Sequence, residues 1–486
     1  VRLLNDCDVI VVGGGPAGSA TALRLARAGV AVTLIERARF PRRKVCGEYQ
    51  NSGAIEALDA LGLLDPVRAV AHPLRGIRLV ATGAAPVELA FTRMALACDR
   101  ATLDALILAA AVGAGVHVVH GRVEGLVVDP ADRVAGVTYR DDAGERRTVR
   151  ARYVAGADGA GSLVARKLGL TLAPRRARRF AIGGHYRGFG DLDGWVEMYV
   201  GGGAYFALNP LDASRANVMV VVGQAALERW SSDVDEGVRG KAAELGAGRR
   251  SFAGAQRIGE RVSIGPLAHR VRSPVAPGAI LVGDAAGFLN PFTGQGVFLA
   301  LGGAEAAATA ILDALRDRSA EAGAFARYAA LRTRDLRARS ALCALVTLLI
   351  DVAPLARRAC RATRSRGTCS STRWPVSAPR VARLARACSV GCSCDPHRDE
   401  HRHRGAAGRD LRVRRVDGAL AVDLAALPLR AGARIGRRAS NRGDGGVARY
   451  IPPALGRRTS QRPGSAAHRF SAHRGPHARD GGRVDV

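Results

Sequence analysis

Lysine is almost missing from this chain: Lys44, Lys167 and Lys241 are three of its 73 basic residues, and the rest are arginine. Acidic residues are also short, 43 against those 73, which leaves a formal net charge of +30. The excess is unevenly spread. From Val352 onward there are 29 Arg, no Lys and 9 Asp or Glu, so about +20 of the charge sits there. This stretch lacks strand alternation and sustained helical periodicity, apart from a helix expected near Leu420–Leu427, and its only aromatics are Trp374, Tyr450 and Phe470. Two readings compete: a disordered basic tail that binds nucleic acid or acidic lipid through counterion release, or GC-rich DNA read out of frame. The missing lysine favours the second, because evolved basic tails mix both cations. No nucleic-acid partner is then expected. Cys388, Cys392, Cys394, His397, His401 and His403 have zinc-like residue types, but in such a segment they are not read as a metal site.

Other absences narrow the setting. No leader pattern precedes the first strand, so a cytoplasmic start is expected. Cys7, Cys46, Cys98 and Cys343 are isolated and fit reduced thiols. The apolar run Ala341–Ile350 is too short to span a bilayer. Following the basic stretch Arg332–Arg339, it reads as a core helix or as one that dips into a membrane surface to reach a lipid.

What is present is more specific. Residues 9–12 form a short apolar run of the buried parallel-strand kind. Gly13, Gly15 and Gly18 follow in Gly-x-Gly-x-x-Gly spacing, then a helical pattern to Gly29 and a second strand, Val30–Ile35, ending at Glu36. Gly13 allows the tight turn, Gly15 lets the backbone approach a pyrophosphate, and Gly18 lets the helix pack on the strand. A pyrophosphate sits well at the helix N-terminus, with Glu36 placed for a ribose diol and Arg37 beside it. A Gly-rich turn alone is weak evidence; the complete strand–helix–strand–acid unit predicts dinucleotide binding.

Two later stretches separate flavin from nicotinamide. Strand Ala279–Val282 ends in Gly283-Asp284, which places Asp284 in the crevice at the strand end. Pro291-Phe-Thr-Gly-Gln-Gly296 then opens a helix, Val297–Ala310, whose free N-terminal amides favour an electron-rich group. Ala157-Asp158-Gly159-Ala-Gly-Ser162 is the other stretch. Together these resemble the FAD fingerprints of the flavoprotein monooxygenase (p-hydroxybenzoate hydroxylase-like) superfamily. The resemblance implies that Asp284 binds the ribityl chain and that Pro291, Gly294, Gly296 and Val297 form the turn facing the flavin's pyrimidine edge. It further implies that Asp158 belongs to the motif joining the FAD pyrophosphate to transient NAD(P)H docking.

One departure matters. The hydroxylases usually place Arg three residues after the Ser, whereas here Ala165 stands there and Arg166 follows. That spacing, with Phe40-Pro-Arg-Arg-Lys-Val-Cys-Gly-Glu48 and Asp99-Arg100-Ala-Thr-Leu-Asp104, is more similar to the geranylgeranyl reductases. In those reductases a segment like Lys44-Val-Cys46-Gly47 lies along the flavin, and by the same likeness Arg100 contacts FAD. Flavin halogenases share the architecture, but their Trp-x-Trp-x-Ile-Pro stretch is absent; Lys44 stands as the lysine they need. No second Gly-x-Gly-x-x-Gly follows a strand, since Gly201-Gly-Gly203 runs into Ala-Tyr-Phe. This argues against a two-nucleotide-domain reductase of the glutathione reductase kind.

Four alternating stretches, Phe180–Tyr186, Trp195–Val200, Tyr205–Pro210 and Asn217–Val222, read as strands of a substrate-facing sheet. Which half of each strand faces the cavity is left open. His185, Tyr186, Glu197, Tyr199 and Tyr205 are candidate acid–base or hydrogen-bonding groups, of which His185 and Tyr205 join Cys46 as catalytic candidates. Thiolate character at Cys46 needs nearby cations, and Arg42, Arg43 and Lys44 are at hand.

The expected fold is α/β: a doubly wound, Rossmann-like FAD-binding domain (1–75, 95–170 and 270–330) with an inserted mixed or antiparallel sheet as substrate domain (76–94 and 171–269). A helical segment, 331–355, and the Arg-rich 356–486 follow. The expected function is an FAD-dependent oxidoreductase with NAD(P)H as transient reductant. It would hydroxylate an aromatic, polyketide-like or lipophilic small molecule or, as the alternative, reduce isoprenoid double bonds. Residues 1–351 carry about +10, which suits an anionic or carrier-bound substrate or a plain basic surface. The expected location is cytoplasmic, with peripheral membrane contact as a variant.

Overall fold

The computed structural model describes residues 6–337, except 83–85, 174–178, 190–191, 231–232, 248–253, 268, 289–291 and 293, together with 413–416 and 419–422. Pro291, the run Ala341–Ile350 and the Cys/His cluster at 388–403 therefore lie outside the described residues. Ala419–Val422 is a strand paired with Val413–Val416, which corrects the helix expected near Leu420.

The first sheet is parallel at its centre, in the order His117–Val128, Val32–Glu36, Asp6–Val12, Arg146–Gly156 and Ala279–Leu281. Val134–Asp141 runs antiparallel to the remaining halves of the two longest strands. Alternation along Asp6–Val12 shows how its faces are used: Val9 and Val11 pack with Leu23, Leu103 and Ile311 of the helices Pro16–Arg27, Arg100–Gly113 and Gly296–Arg316. Ile10 and Val12 pack instead with Val137, Tyr139 and Val149 of the antiparallel strands. Gly296–Arg316 is long and apolar enough to cross a membrane by composition. Here it is a core helix, with Leu301, Ala304 and Ile311 buried.

The second sheet has seven strands, in the order Gln256–Ile264, Arg179–Arg187, Arg215–Gly223, Ala204–Pro210, Trp195–Gly201, Gly76–Ala81 and Val87–Ala90. It is antiparallel except where Trp195–Gly201 runs parallel to Gly76–Ala81. One face carries Tyr199, Phe206 and Val220 against Val238, Ala242 and Leu245 of the region around helix Val234–Glu244. The opposite face carries Met198, Tyr205, Met219 and Val221.

Helix 321–337 runs unbroken through residues 330–331, where the sequence suggested a boundary. It grips the first sheet from behind. The Tyr328 hydroxyl donates to the Leu281 carbonyl (2.6 Å), and buried Arg332 donates to the carbonyls of Gly283 (2.8 Å) and Gly287 (3.2 Å). Arg332, which opens the basic stretch Arg332–Arg339, is thus a strap on the turn that carries Asp284.

Burial pushes the Tyr328 phenol up to about 12. The neutral phenol favours the fold, so its contribution is complete below the unfolded value near 10 and falls away as pH climbs from there toward 12. Tyr328→Phe should cost about 1 kcal/mol at neutral pH. Denaturant titrations should also show the variant losing less stability than the wild type between about pH 10 and 12; parallel losses would contradict this.

Candidate active site

Register explains why three distant glycine stretches meet. Val12 lies level with Ile35 and Gly156, and Gly156 with Leu281, so their strands end along one edge. The crossing bonds continue past the strands: Gly13 donates to Ile35 O (2.9 Å), Ala157 to Val12 O (2.8 Å) and Val282 to Gly156 O (2.8 Å). A cavity of about 1300 Å³ opens at this edge.

The glycines are needed for space as well as for conformation. Gly13 has φ 101°, and a Cβ there would stand 2.6 Å from Ala157 O. A Cβ on Gly18 would stand 1.8 Å from Gly13 O, and one on Gly294 (φ 61°) 2.5 Å from the Tyr49 ring. Two helices start at the cavity without a side-chain cap, at Gly15 and Gln295. The first-turn amides behind them, at Gly296 and Val297 in the second case, are donors that the helix itself cannot satisfy. Glu36, at its strand end, accepts from Gly14 N (2.6 Å) and Ala38 N (2.8 Å).

Charge is gathered unevenly. Arg37, Lys44, Arg122 and Lys167 line the cavity and form no ion pair among the described residues. Burial, then Arg42, Arg100 and Arg37, lower the pKa of Lys44, with Asp284 pulling the other way. Asp284 also lines the cavity, and burial raises its carboxyl against the pull of Arg332, Arg100 and Lys44. Arg100 is committed to fully buried Asp104 through two bonds of 2.7 Å, and Arg42 adds a third contact at 3.2 Å. Asp158 lines the cavity but spends its oxygens locally, accepting from Ser162 Oγ (2.6 Å) and Leu163 N (2.6 Å). Ser162 caps the helix Leu163–Lys167, and Asp158 holds that cap and the first helical amides, which gives the Asp-x-x-x-Ser spacing a structural reason. Arg166 donates back to Gly161 O.

The second sheet supplies the opposite wall. Tyr205 lines the cavity edge-on to Phe292, with ring centroids 5.0 Å apart, beside Met198, Met219 and Val221. A second aromatic pair, Tyr49 and Phe91, stacks at 5.7 Å and also lines it. Strand parity removes three candidates from the cavity wall. Tyr186 and Tyr199 belong to the helix-facing core, and Glu197 shares their side, bonded to Tyr199 Oη (2.6 Å) and Arg78 (2.8 Å).

Cys46 lines the cavity where the two walls meet. Arg42 and Arg43 turn away from it, toward Asp104 and toward the carbonyls of Ile258 and Glu260. Arg100 approaches the sulfur instead, yet burial dominates and pushes the thiol up, away from the thiolate character that nearby cations favour. His185 does not line the cavity; its Nε2 lies 2.7 Å from Glu48 Oε2, behind the segment that carries Cys46. Glu48, Asp99 and His185 bring ligand-type atoms within 4.8 Å of one another. Glu48 already accepts from Arg100 N (3.1 Å) as well as meeting His185, and Asp99 from Ala101 N (2.7 Å).

Uncapped helix starts, cations without an ion pair among the described residues and glycines that leave no room for a side chain suit a ligand with a pyrophosphate centre. Fold and site together define a dinucleotide-binding α/β oxidoreductase. The chain belongs to the FAD-binding family whose domain, described as an FAD binding domain, matches residues 6–340. It is an FAD-dependent oxidoreductase of the flavoprotein monooxygenase superfamily, on the side of the geranylgeranyl reductases and flavin halogenases. It is 30% identical over 311 residues to the menaquinone reductase of Mycolicibacterium smegmatis, a match covering 60% of this chain and 72% of that protein. It is 30% identical over 345 residues to 6-methylpretetramide 4-monooxygenase of Streptomyces rimosus, covering 64% and 76%. A geranylgeranyl bacteriochlorophyll reductase-like protein of Thermoplasma acidophilum shares the fold, with TM-score 0.63 at 23% identity, over 71% of this chain and 88% of that one.

Gly18→Ala should abolish FAD uptake, lowering affinity by more than about 100-fold, because helix and turn cannot separate without moving the pyrophosphate site. Quenching of FAD fluorescence on titration measures this; wild-type affinity in the variant would contradict it.

Proposed function

We propose that this chain reduces a carbon–carbon double bond in a lipophilic, isoprenoid-like molecule, with NAD(P)H as the transient electron source. The observation that carries the reading is the placement of Cys46 at the junction of the dinucleotide end and the apolar wall. Hydrogenating a double bond takes one hydride and one proton. FAD, when bound, supplies the two-electron chemistry; Gly13, Gly15, Gly18, Glu36, Arg37, Lys44, Asp284 and the Gly294–Val297 turn are the residues that would hold it. Cys46 holds the proton on its sulfur, and the neighbouring Arg100 guanidinium eases the negative charge left when that proton departs. Met198, Met219 and Val221 exclude water and favour an apolar chain. A lipophilic substrate also implies a cytoplasmic enzyme that collects it at a membrane surface.

Hydroxylation of an aromatic or polyketide-like substrate is the second reading, favoured by the aromatic pairs Tyr205–Phe292 and Tyr49–Phe91 and by the monooxygenase relative. Halogenation is the third; it calls for Lys44 beside the substrate, whereas Lys44 sits among Arg37, Arg42, Arg100 and Asp284.

The decisive assay reduces the FAD-loaded protein without oxygen and then adds menaquinone or geranylgeranyl compounds. Reoxidation with saturation of a double bond supports the reductase. Reoxidation only on admitting oxygen, with product labelled from the gas, establishes the hydroxylase instead. On the reductase reading, Cys46→Ala should lower turnover by about 10²–10⁴-fold with little change in FAD affinity. Wild-type turnover should persist through the usual thiol range near 8.5 and fall only above it, because burial raises this thiol. A decline centred below about pH 8 would assign the proton to another group.

A further inference from the structure

The cavity face of the second sheet is apolar along most of its width, with one polar row. His185, Asn217 and Asn209 occupy matching positions on three neighbouring strands: His185 is level with Asn217, and Asn217 with Asn209. All three are buried, at 7%, 3% and 2% exposure. They meet three consecutive residues of a segment from the other half of the molecule. Asn217 Nδ2 donates to Cys46 O (2.7 Å), Asn209 Nδ2 donates to Gly47 O (3.0 Å), and His185 Nε2 lies 2.7 Å from Glu48 Oε2.

We propose that Asn209 and Asn217, in register with His185, are positioning residues that fix where Cys46 sits in the cavity wall. An apolar side chain at either position would suit the surrounding sheet face better, and Asn209 Oδ1 is a buried acceptor with no partner. Keeping an amide there is therefore unfavourable unless its other end has a task, and that end holds Gly47. The held segment also needs restraint. Glu48 adopts φ 56°, a left-handed conformation uncommon for a side chain of its size, and it is pinned from both ends: Cys98 N donates to its carbonyl (3.0 Å) and Arg100 N to its carboxylate (3.1 Å). With residues 46, 47 and 48 each tied to a different strand, the thiol has one place to be.

The consequence for turnover rests on the reading of Cys46 as proton donor, but the clamp itself can be tested without substrate. In the FAD-loaded full chain, alkylation of Cys46 by iodoacetamide is followed by peptide mass. Asn217→Asp and Asn209→Asp keep the side-chain shape but set an acceptor against a carbonyl. Each should free the segment and raise the Cys46 alkylation rate by about tenfold or more. Asn217→Ser, which is too short to reach Cys46 O, should do the same and serves if an Asp variant does not fold. Val220→Ala, on the same strand but facing the helices, loosens packing without touching the segment and should leave the rate as in wild type. Unchanged alkylation in folded Asn209 and Asn217 variants overturns the clamp, as does an equal rise in Val220→Ala. Failure of the functional reading looks different: Cys46→Ala would turn over menaquinone normally while the Asn variants still exposed the thiol.

Discussion

Positive charge that the protein does not neutralise itself is the constraint around which this fold is arranged. Arg37, Lys44, Arg122 and Lys167 line the end of the parallel sheet without an ion pair among the described residues, and two helices begin there with their first amides uncapped. An anionic, extended ligand meets both demands at once, and a pyrophosphate-centred dinucleotide has that shape and charge. The strands end level with one another, so each glycine turn reaches the same place. Arg100, which would add to the surplus, is instead tied to Asp104 and becomes part of the frame.

The second constraint is the junction between the two sheets. A charged edge and an apolar wall border one cavity, and the Cys46–Glu48 segment lies at their seam. It belongs by sequence to the dinucleotide side yet is held by the polar row of the other sheet. From behind, helix 321–337 fastens the turn that carries Asp284 through Arg332 and supports the neighbouring strand through Tyr328. Both fastenings bond backbone carbonyls, so they fix the course of the chain and leave the side chains facing the cavity free to act.

Much of the dinucleotide half was legible because its demands are local. A helix that must approach a turn within a side chain's width requires glycine at that residue, and Gly13 and Gly18 announce it in the text. The four strands of the second sheet were legible from alternation, but alternation names two faces without saying which is inward. Tyr205 and Tyr199 read alike in sequence and lie on opposite sides. The roles of Asn209 and Asn217 depend on cross-strand register and on a segment more than 160 residues away, which no local pattern reports. The role of Arg332 was not legible for a related reason: only the packing of helix 321–337 shows it bonded to the carbonyls of Gly283 and Gly287. Asp158 carried a family role in sequence and in addition holds the Ser162 cap and the first amides of a helix.

The central claim is that FAD's redox ring meets the Cys46 thiol at the seam of the two walls. A crystal structure of the FAD-loaded protein tests it most directly. The account predicts the ring system bounded by the Gly294–Val297 turn on one side, with the Cys46 sulfur in van der Waals contact. A ring lodged elsewhere, with other protein groups between it and the sulfur, would contradict it.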